Sequence, residues 1–471
     1  MKKSLRFFVL VTLLALTFSC IEDNGVPDNK QQETLVELEG NLTTRTLTAD
    51  KQYLLKGQVF IPDGVTVTIE PGTIIYGEKR TRSLLIVDRG GKLIARGTKE
   101  RPIVMTSSQA VGERDRGDWG GLVILGRART NQVDPSIEGV SPQRIFGGDN
   151  DEDNSGEFQY LRVEYAGIEL TPNNETNSVT MGGVGRGTFF ENVMVSFGGD
   201  DGFEWFGGTV NGKYLISHST WDDDLDIDYG YSGNVQFALV VRNPSYADQS
   251  QSNAFEADNG PNDNDVQPYT TGTFSNVTVY GPRDRSTRSI NANNFHSMDL
   301  RRRTAVSIFN SVMASFPVGL RFNTASVTAQ YNGGTGVLSN NILLVPTGGT
   351  NYAAGGGAVV ADVQAYWTAN NTTATIPAAE ASDDFFRGYG LRPENFFGPY
   401  TVQTYPNNPN FSLLANGSLA SGASFSNAKF NEPNRTNFFD KNVQFKGAFG
   451  STDWTDGWAE FNPLNVEYSK K

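Results

Sequence analysis

The sequence predicts an all-β protein built as a single-stranded parallel β-helix, and three observations support this fold class. Short β-branched runs alternate with Gly and Pro turn signals from Leu54 onward, almost no stretch keeps the apolar period of a helix, and one strand motif recurs along the chain. About 450 residues are enough for two or three globular domains. The recurrence of short strands favours one long solenoid instead.

The first coils are predicted from regular punctuation. Strands over 58–61, 65–69 and 73–76 are separated by Pro-Asp-Gly at 62–64 and Pro-Gly at 71–72. Further short strands are predicted at 84–87, 92–95, 103–106 and 122–125. This spacing leaves no room for the crossover helices of a βαβ fold, which need a dozen or more residues.

A self-similar motif indicates stacked coils. Residues 158–167 (FQYLRVEYAG) match 190–199 (FENVMVSFGG), and 274–281 (FSNVTVYG) repeats the pattern, with looser echoes at 308–310 and 338–340. Each coil of such a solenoid buries its apolar face by stacking on its neighbours. An antiparallel sandwich is the competing prediction. It ranks second because the repeated unit contains several strands and corners rather than one hairpin. The Asn shared by the repeats, as in Asn192 and Asn276, predicts hydrogen-bonded ladders at one corner.

The amino-terminal residues are typical of a bacterial lipoprotein signal. Lys2 and Lys3 precede a short apolar run, and Cys20, the only cysteine, follows the small residue Ser19. The run is too short to span a hydrocarbon core of about 30 Å. Residues 1–19 are therefore predicted to be removed and Cys20 to be lipidated, whereas the alternative is an ordinary secretory signal with an incidental cysteine. The lipid is therefore expected to hold the body at a membrane surface outside the cytoplasm.

Three further regions follow the signal. The polar, acidic residues 20–48 are predicted to form a flexible tether, 49–347 the β-helix, and 348–471 an irregular, loop-rich region with terminal coils and a cap. Trp454 and Trp458 are predicted to help to cap the open end of the solenoid, with a glycan platform as the alternative. The formal charge of -13 becomes -16 without the three basic residues of the signal. Such a surface repels nucleic acid, which excludes it as a partner.

An acidic block carries the candidate site. Residues 200–205 align on 222–227 with an offset of 22 residues, one coil of a solenoid, and 253–258 align once more after a longer loop. Alternation along a strand turns the apolar residues of each segment inward and the acidic residues outward. The side chains predicted to point outward are Glu204, Asp224, Asp226, Asp228, Glu256 and Asp258.

Carboxylates stacked at the spacing of about 4.8 Å between coils repel one another. A bound cation, basic neighbours such as Lys213 or Arg242, raised pKa values or divergence of the strands would offset this repulsion. Ca²⁺ suits the oxygen ligands best. Three interpretations stay open: a Ca²⁺ or similar hard-cation site, a solvated acidic face, and a catalytic cluster. The candidate metal ligands are Asp200, Asp201, Glu204, Asp222, Asp223, Asp224, Asp226, Asp228, Glu256 and Asp258. Trp221, beside the acidic run, either presents a face to a sugar ring or packs under a loop.

Two resemblances extend these predictions. Residues 54–108, with VTVTIEPGTIIYGE and GGKLIARGTKERPIVMTS, resemble the first coils of right-handed β-helix proteins of the pectin-lyase-like class. The block GGDDGFEWFGGTVNGKYLISHSTWDDDLDIDYGYSGNVQ is similar to uncharacterised outer-membrane lipoproteins of Bacteroidetes-type and marine bacteria. That second resemblance implies a place beside a TonB-dependent nutrient-uptake receptor, rather than a particular reaction.

The functional prediction is a surface lipoprotein that binds a ligand such as a glycan as an accessory component of uptake. A Ca²⁺-dependent polysaccharide lyase or glycosidase is the alternative, and an adhesin or structural surface protein is a further one. The chain has only two histidines, His218 and His296, and neither lies in a Gly-His-Gly context. The run 301–303 is the only dense arginine cluster, and it is interpreted as a solvated face rather than as a source of a catalytic base. Catalysis is left uncertain, and no catalytic residue is assigned.

Overall fold

Parallel strand pairing builds almost the whole molecule. The computed structural model describes residues 35–137, 139–171, 174–378 and 382–468. Twenty-six of its strands belong to one continuous parallel system, and β11 and β12 form a separate antiparallel pair. The first half contains β1 (Leu35–Asn41), β2 (Arg45–Leu47), β3 (Gln52–Ile61), β4 (Thr66–Ile69), β5 (Ile74–Gly77), β6 (Leu84–Val87), β7 (Lys92–Arg96), β8 (Ile103–Ser107), β9 (Gly121–Leu125), β10 (Gly156–Glu164), β11 (Ile168–Thr171), β12 (Asn174–Thr176), β13 (Val179–Gly182) and β14 (Phe189–Ser196).

The second half continues the same pattern. It contains β15 (Phe203–Phe206), β16 (Gly212–His218), β17 (Leu225–Asp228), β18 (Asn234–Val241), β19 (Phe255–Ala257), β20 (Thr273–Tyr280), β21 (His296–Leu300), β22 (Ser307–Phe309), β23 (Val312–Ala314), β24 (Val318–Phe322), β25 (Leu338–Ser339), β26 (Ile342–Pro346), β27 (Thr350–Ala354) and β28 (Thr372–Ile376). Successive coils pair in parallel, which confirms the predicted β-helix and rules out the sandwich.

Two stacks of strands matter for function. The first, here called the ladder sheet, runs through β6, β9, β13, β15, β17, β19, β21, β24 and β27. The second, here called the covered sheet, runs through β8, β10, β14, β16, β18, β20, β23, β26 and β28. Each strand pairs with the corresponding strand of the next coil.

The core lies inside the coils, and the alternation predicted for the acidic block is confirmed there. Phe203, Trp205, Leu225 and Ile227 are all at most 1 % exposed. The Trp205 ring lies 5.9 Å from that of Phe203, its neighbour on the inward face of the same strand. Between adjacent coils, the rings of the Cα partners Phe158 and Phe190 lie 5.7 Å apart. Burial of each such side chain contributes about 1.5–3 kcal/mol, which is how this fold is stabilised without disulfides.

The predicted asparagine ladder is present in part. Asn310 and Asn340 occupy the same corner of adjacent coils with positive φ angles of 51° and 63°, and Nδ2 of Asn340 donates to Oδ1 of Asn310 at 2.7 Å. Asparagine tolerates this left-handed conformation better than most residues. Asn192 stands apart because Tyr214 and Phe237, which also have positive φ, occupy the corner in the coils above it. The ladder therefore supports the later coils only.

The boundaries of the solenoid differ from those predicted. Strands β1 and β2 fall within 20–48, where a flexible tether was expected, and pair with β3 and β4. Strands β27 and β28 extend the coils into the region from 348 onward, which was expected to be irregular. Cys20 and the signal lie outside the described residues. Among the described helices, none has the length and apolar character required to cross a bilayer.

Helices close the core at the last coils. The helices are α1 (Ala325–Asn332), α2 (Val360–Asn370) and α3 (Ser382–Tyr389). Val363 and Trp367 of α2 are completely buried and belong to the same apolar cluster as the interior of the coils. Helix α2 thus caps the apolar interior where β27 and β28 end the stack.

Residues 382–468 then run along the outer face of the covered sheet. Their short 3₁₀ turns are Pro393–Asn395, Ser418–Ala420, Ala428–Asn431 and Pro463–Asn465. Outward-facing residues of that sheet, such as Ile216 and Leu239, are completely buried against this segment. Trp458 is 1 % exposed and packs edge-on against Tyr160 at 5.7 Å. The prediction that Trp454 and Trp458 cap the open end was therefore wrong, because both pack on the side of the solenoid.

Candidate functional site

A ladder of acidic residues runs up the outside of the ladder sheet. Glu204, Asp226, Glu256 and Asp299 are Cα partners on four successive strands, β15, β17, β19 and β21. The register predicted for Glu204, Asp226 and Glu256 is confirmed. Asp299 and its partner on β24, Arg321, were not predicted from the sequence. The alternation of Met298, Asp299 and Leu300 was the available signal, since it repeats that of 255–257.

Carboxylates from two corners join the ladder. Three groups of side chains each bring one oxygen per residue within 4.8 Å of one another: Asp200, Asp201 and Asp222; Asp201, Glu204 and Asp226; and Asp223, Asp226 and Glu256. Asp201 and Asp226 each belong to two groups, so the set is continuous. It is called the acidic cluster below, and comprises Asp200, Asp201, Glu204, Asp222, Asp223, Asp226 and Glu256.

Backbone hydrogen bonds between coils position the corner residues. The N–H of Asp223 donates to Oδ1 of Asp201 at 2.8 Å, and the N–H of Asn253 donates to Oδ1 of Asp223. Asp201 and Asp223 thus each accept a backbone hydrogen bond from the coil above, which fixes one oxygen of each carboxylate.

Burial and like charge shift the titration of the acidic cluster. The pKa values of Asp201, Glu204, Asp223 and Asp226 are raised well above their usual range, first by burial and then by neighbouring carboxylates. Burial is also the main cause that raises the pKa of Asp222 to about 6, while a bond from Ser250 opposes it. Both causes disfavour the ionised form of the carboxylates. A cation bound in the cluster would favour the ionised form.

Several acidic oxygens have weak or no compensation. Asn177 donates to Glu204, and Oγ of Ser250 donates to Oδ2 of Asp222 at 2.9 Å. Oδ1 of Asp222 and Oδ1 of Asp226 are buried and have no hydrogen-bond partner within the part of the chain that the structure describes. Buried polar atoms are normally satisfied, so such orphans call for an explanation.

Arginines compensate one end of the ladder and leave the other end charged. Arg301 pairs with Glu256 and, at 2.8 Å, with Asp258, and Nε of Arg321 lies 2.6 Å from Oδ1 of Asp299. By contrast, among residues 35–137, 139–171, 174–378 and 382–468, no Lys or Arg nitrogen lies within 4.0 Å of the carboxylates of six cluster members. Those six are Asp200, Asp201, Glu204, Asp222, Asp223 and Asp226. The uncompensated charge is thus concentrated in the lower coils.

Asp224 is not part of the cleft. It was predicted to point outward with Asp226, yet it is completely buried, accepts from Oγ of Ser217 at 2.7 Å and lies 3.4 Å from Arg242. The alternation rule fails here because Asp224 precedes β17, at a corner where the chain turns. Arg242 therefore neutralises Asp224 rather than the ladder, and Lys213 packs over the ring of Phe438 instead.

Asp228 and Asp258 form the predicted second rung. Asp258 is 4 % exposed and pairs with Arg301 and Arg302. Burial and the charge of Asp258 raise the pKa of Asp228 well above its usual range. The arginine run 301–303, predicted to be a solvated face, is thus partly engaged in ion pairs with the ladder.

Two cavities open beside the acidic cluster. One, of about 240 Å³, is lined by Asn177, Thr180 and Glu204 and by the rings of Phe206 and Tyr229. The other, of about 560 Å³, is lined by Arg116, Trp221, Asp222 and Asp248. Both are lined by Asp200 and Glu175, so they adjoin. Together they form an acidic groove with aromatic edges.

Trp221, the predicted ligand-binding residue, lies in the wall of the larger cavity. Its Nε1 donates to Oδ1 of Asp248 at 3.1 Å, and the Arg116 guanidinium covers one face at 3.8 Å from the ring centre. Arg116 also lies 4.9 Å from the ring centre of Tyr246. The stacked guanidinium is the only basic group lining either cavity within the described residues.

The two histidines and Arg301 are poorly suited to act as the base of a polysaccharide lyase. His218 is completely buried, and burial lowers its pKa to about 3. His296 is also completely buried, and its Nδ1 lies 2.8 Å from Oδ1 of Asn253. Neighbouring carboxylates raise the pKa of Arg301 further above its usual value, although burial opposes them. A general base works best with a pKa near the operating pH. None of these three groups meets that condition. Asp222, whose pKa is about 6, is a cluster carboxylate that does come near it.

Comparison with known proteins bears on the fold and family. A model of the family described as "Pectate-lyase like beta helix domain" matches residues 40–384. Searches of curated proteins and of solved structures find no match. The family match covers most of the chain and coincides with the coils seen in the structure. The chain therefore belongs to the family of pectate-lyase-like β-helix domains.

Proposed function

We propose that this protein is a surface-anchored binding protein whose acidic cluster holds Ca²⁺ and thereby captures an acidic polysaccharide. The observation that carries the proposal is the register of Glu204, Asp226 and Glu256, which stacks three carboxylates in adjacent coils, of which only Glu256 forms an ion pair with an arginine. Aligned like charges are unfavourable. Retaining them on one face is best explained by a cationic ligand.

The chemistry of the cluster supports a hard cation. Its seven residues offer only carboxylate oxygens, and Ca²⁺ takes six to eight oxygen ligands at about 2.3–2.6 Å. The buried oxygens Oδ1 of Asp222 and Oδ1 of Asp226, which have no partner within the described ranges, would gain one from the ion. Asp201 and Asp226, each shared between two groups, are the expected central ligands.

An acidic polysaccharide is the ligand class that fits both features of the groove. A body with a formal charge of -16 repels polyanions unless cations bridge them. Arg116 adds a positively charged group at the rim, where Trp221 and Tyr246 hold it in place and its Nη1 also lies 3.6 Å from Oδ1 of Asp115. A guanidinium stacked on aromatic rings is pre-organised for a carboxylate or sulfate. Capture therefore combines a bridging cation with one arginine.

The location proposed is the outer membrane, where the lipidated Cys20 anchors the body beside a TonB-dependent receptor. This part of the proposal rests on the sequence alone. Replacing Cys20 with Ser is expected to move the protein from the membrane fraction to the soluble fraction. Copurification of the wild type with a barrel receptor would support the accessory role, and its absence after mild crosslinking would count against it.

A Ca²⁺-dependent lyase is the second candidate, and the family membership favours it. Arg301, beside Glu256, is the side chain that such a reaction would use. Incubation with polygalacturonate and Ca²⁺ separates the two functions. A steady rise in ultraviolet absorbance from unsaturated products, lost in Arg301→Gln, would establish the enzyme. Saturable binding without product would establish capture.

The first test of the cation is thermal unfolding of the purified protein in EDTA and then in excess Ca²⁺. Wild type is expected to gain several degrees with Ca²⁺, and Asp226→Asn is expected to lose most of that gain. Asp384→Asn is the matched control, because the Asp384 side chain is 94 % exposed and lies on α3, away from the cluster. An identical response of all three proteins to Ca²⁺ would overturn the cation site.

A further inference from the structure

The strongest remaining feature is a buried arginine behind the loop that supplies two cluster carboxylates. This loop, residues 220–224 between β16 and β17, is called the acidic loop. We propose that Arg242 is a positioning residue of the cation site: it holds the backbone of the acidic loop so that the Asp222 and Asp223 carboxylates face the cluster. The inference rests on the proposed cation-binding function and names the residue on which that site's geometry depends.

The contacts of Arg242 are unusually complete for one side chain. It lies at the end of the next coil, just after β18, and is completely buried. Nη2 donates to the carbonyl of Trp221 at 3.1 Å, and Nη1 donates to the carbonyl of Asp222 and to Oγ1 of Thr220 at 3.1 Å. Nη1 also lies 3.4 Å from Oδ2 of Asp224. One guanidinium thus engages four of the five loop residues.

A further coil fixes the guanidinium itself. Nε of Arg242 donates to Oδ1 of Asn294 at 2.9 Å, and Nδ2 of Asn294 donates to the carbonyl of Pro244 at 3.2 Å. The orientation of the planar group is therefore set from outside the loop. A planar, five-donor group is required to meet several acceptors in fixed directions at once, and lysine cannot replace it.

This arrangement sorts the oxygens of the acidic loop. The carbonyls of Trp221 and Asp222 are bound to Arg242, whereas the Asp222 carboxylate lies within 4.8 Å of Asp200 and Asp201 oxygens. In the acidic loop, carboxylate oxygens are therefore available as ligands for the cation, whereas these two backbone oxygens are already bound to Arg242. Asp224 balances the charge of Arg242 within the buried pair.

The test compares Ca²⁺ affinity with folding in the full chain, purified in detergent. Arg242→Lys keeps the positive charge but loses the planar guanidinium with its several donors. The double variant Asp224→Asn with Arg242→Gln removes both members of the buried ion pair. Both are expected to weaken Ca²⁺ binding at least tenfold by calorimetry, with unchanged circular dichroism. The double variant guards against misfolding, because it leaves no buried charge uncompensated.

Asp284→Asn provides the matched control. Asp284 is also a buried acid paired with arginines, Arg285 and Arg288, but it lies outside the cluster. The Asp284→Asn variant is expected to unfold at a lower temperature in EDTA and to bind Ca²⁺ with unchanged affinity. If Arg242 had a purely structural role, the Arg242 variants would behave in the same way. Folded Arg242 variants with wild-type affinity would overturn the inference. Absence of Ca²⁺ binding by wild type would instead overturn the proposed function.

Discussion

Glu204 and Asp226 are direct Cα partners on adjacent parallel strands, with side chains on the same outer face of the solenoid. Higher on the same ladder, Asp299 is partnered by Arg321. One sheet therefore contains both a compensated and an uncompensated pair in equivalent positions. The fold can therefore place an arginine at a ladder position, so the packing of the coils does not require the acidic pair Glu204 and Asp226.

Replacing Asp226 with Asn is expected to stabilise the cation-free protein. The change removes one charge from the acidic cluster, so the free energy of unfolding in EDTA should rise by about 1 kcal/mol. Urea unfolding followed by circular dichroism measures this. Asp384→Asn, on the exposed face of α3, should change the value by less than about 0.5 kcal/mol. A clear loss of stability in Asp226→Asn would mean that its carboxylate is a structural acceptor.

The cation-free protein is expected to gain stability from the cluster on acidification. Asp222 has a folded-state pKa of about 6, above the ordinary value of 3.8. Between these two pKa values the folded state keeps the proton and the unfolded state releases it. The contribution of Asp222 to the free energy of unfolding is therefore complete below about pH 4 and is lost as the pH rises through about 6. The difference between wild type and Asp222→Asn in EDTA isolates this contribution. A difference that does not vary between pH 4 and 7 would refute it.

Loss of Arg301 is expected to make the protein depend on Ca²⁺. Arg301→Gln removes the ion-pair partner that Glu256 and Asp258 share. The free energy of unfolding in EDTA should fall by about 3–5 kcal/mol as a result. Excess Ca²⁺ should restore much of this loss, because the carboxylates released from Arg301 become additional ligands. Calorimetric titration should show a further bound ion. Arg387→Gln, an exposed arginine on α3, is the control and should change neither quantity.

His218→Phe is expected to stabilise the protein, and increasingly so at low pH. Neither ring nitrogen of His218 has a partner within the described residues, and its neighbours include Tyr405 and Phe461. The folded pKa of about 3 lies below the ordinary 6.5, so wild type loses stability as the pH falls through this window. The variant should gain about 1–3 kcal/mol near pH 7 and more at pH 5. If urea unfolding shows the same dependence of the unfolding free energy on pH for wild type and His218→Phe, this prediction is contradicted.

Much of the ladder was accessible from the sequence because strand alternation and coil length are both local rules. The offset of 22 residues aligned Glu204 with Asp226 correctly, and the inward placement of Phe203 and Trp205 followed from the same alternation. The same rule failed at Asp224, where a corner replaces the strand. Corners obey the hydrogen bonds of the turn rather than a two-residue period.

Features that depend on distant parts of the chain could not be predicted. Arg242 was expected from the sequence as a basic neighbour of the ladder. Its actual partners, Asp224 and the carbonyls of the acidic loop, depend on how one coil stacks on the next, which the local sequence does not indicate. The side placement of Trp458 likewise depends on where residues 382–468 return along the coils. The aromatic richness of that region indicated burial but did not identify the face. Long-range docking of an irregular segment has no period to detect.

The return of the C-terminal segment to the first coils connects late and early parts of the described chain. The carbonyl oxygen of Tyr468 accepts from Nε2 of Gln52 at 2.8 Å and from Oη of Tyr76 at 2.9 Å. The apolar outer side of the covered sheet is buried only when residues 382–468 have docked on it. We therefore expect a truncated or partly folded chain to expose this sheet to water and to self-associate through it.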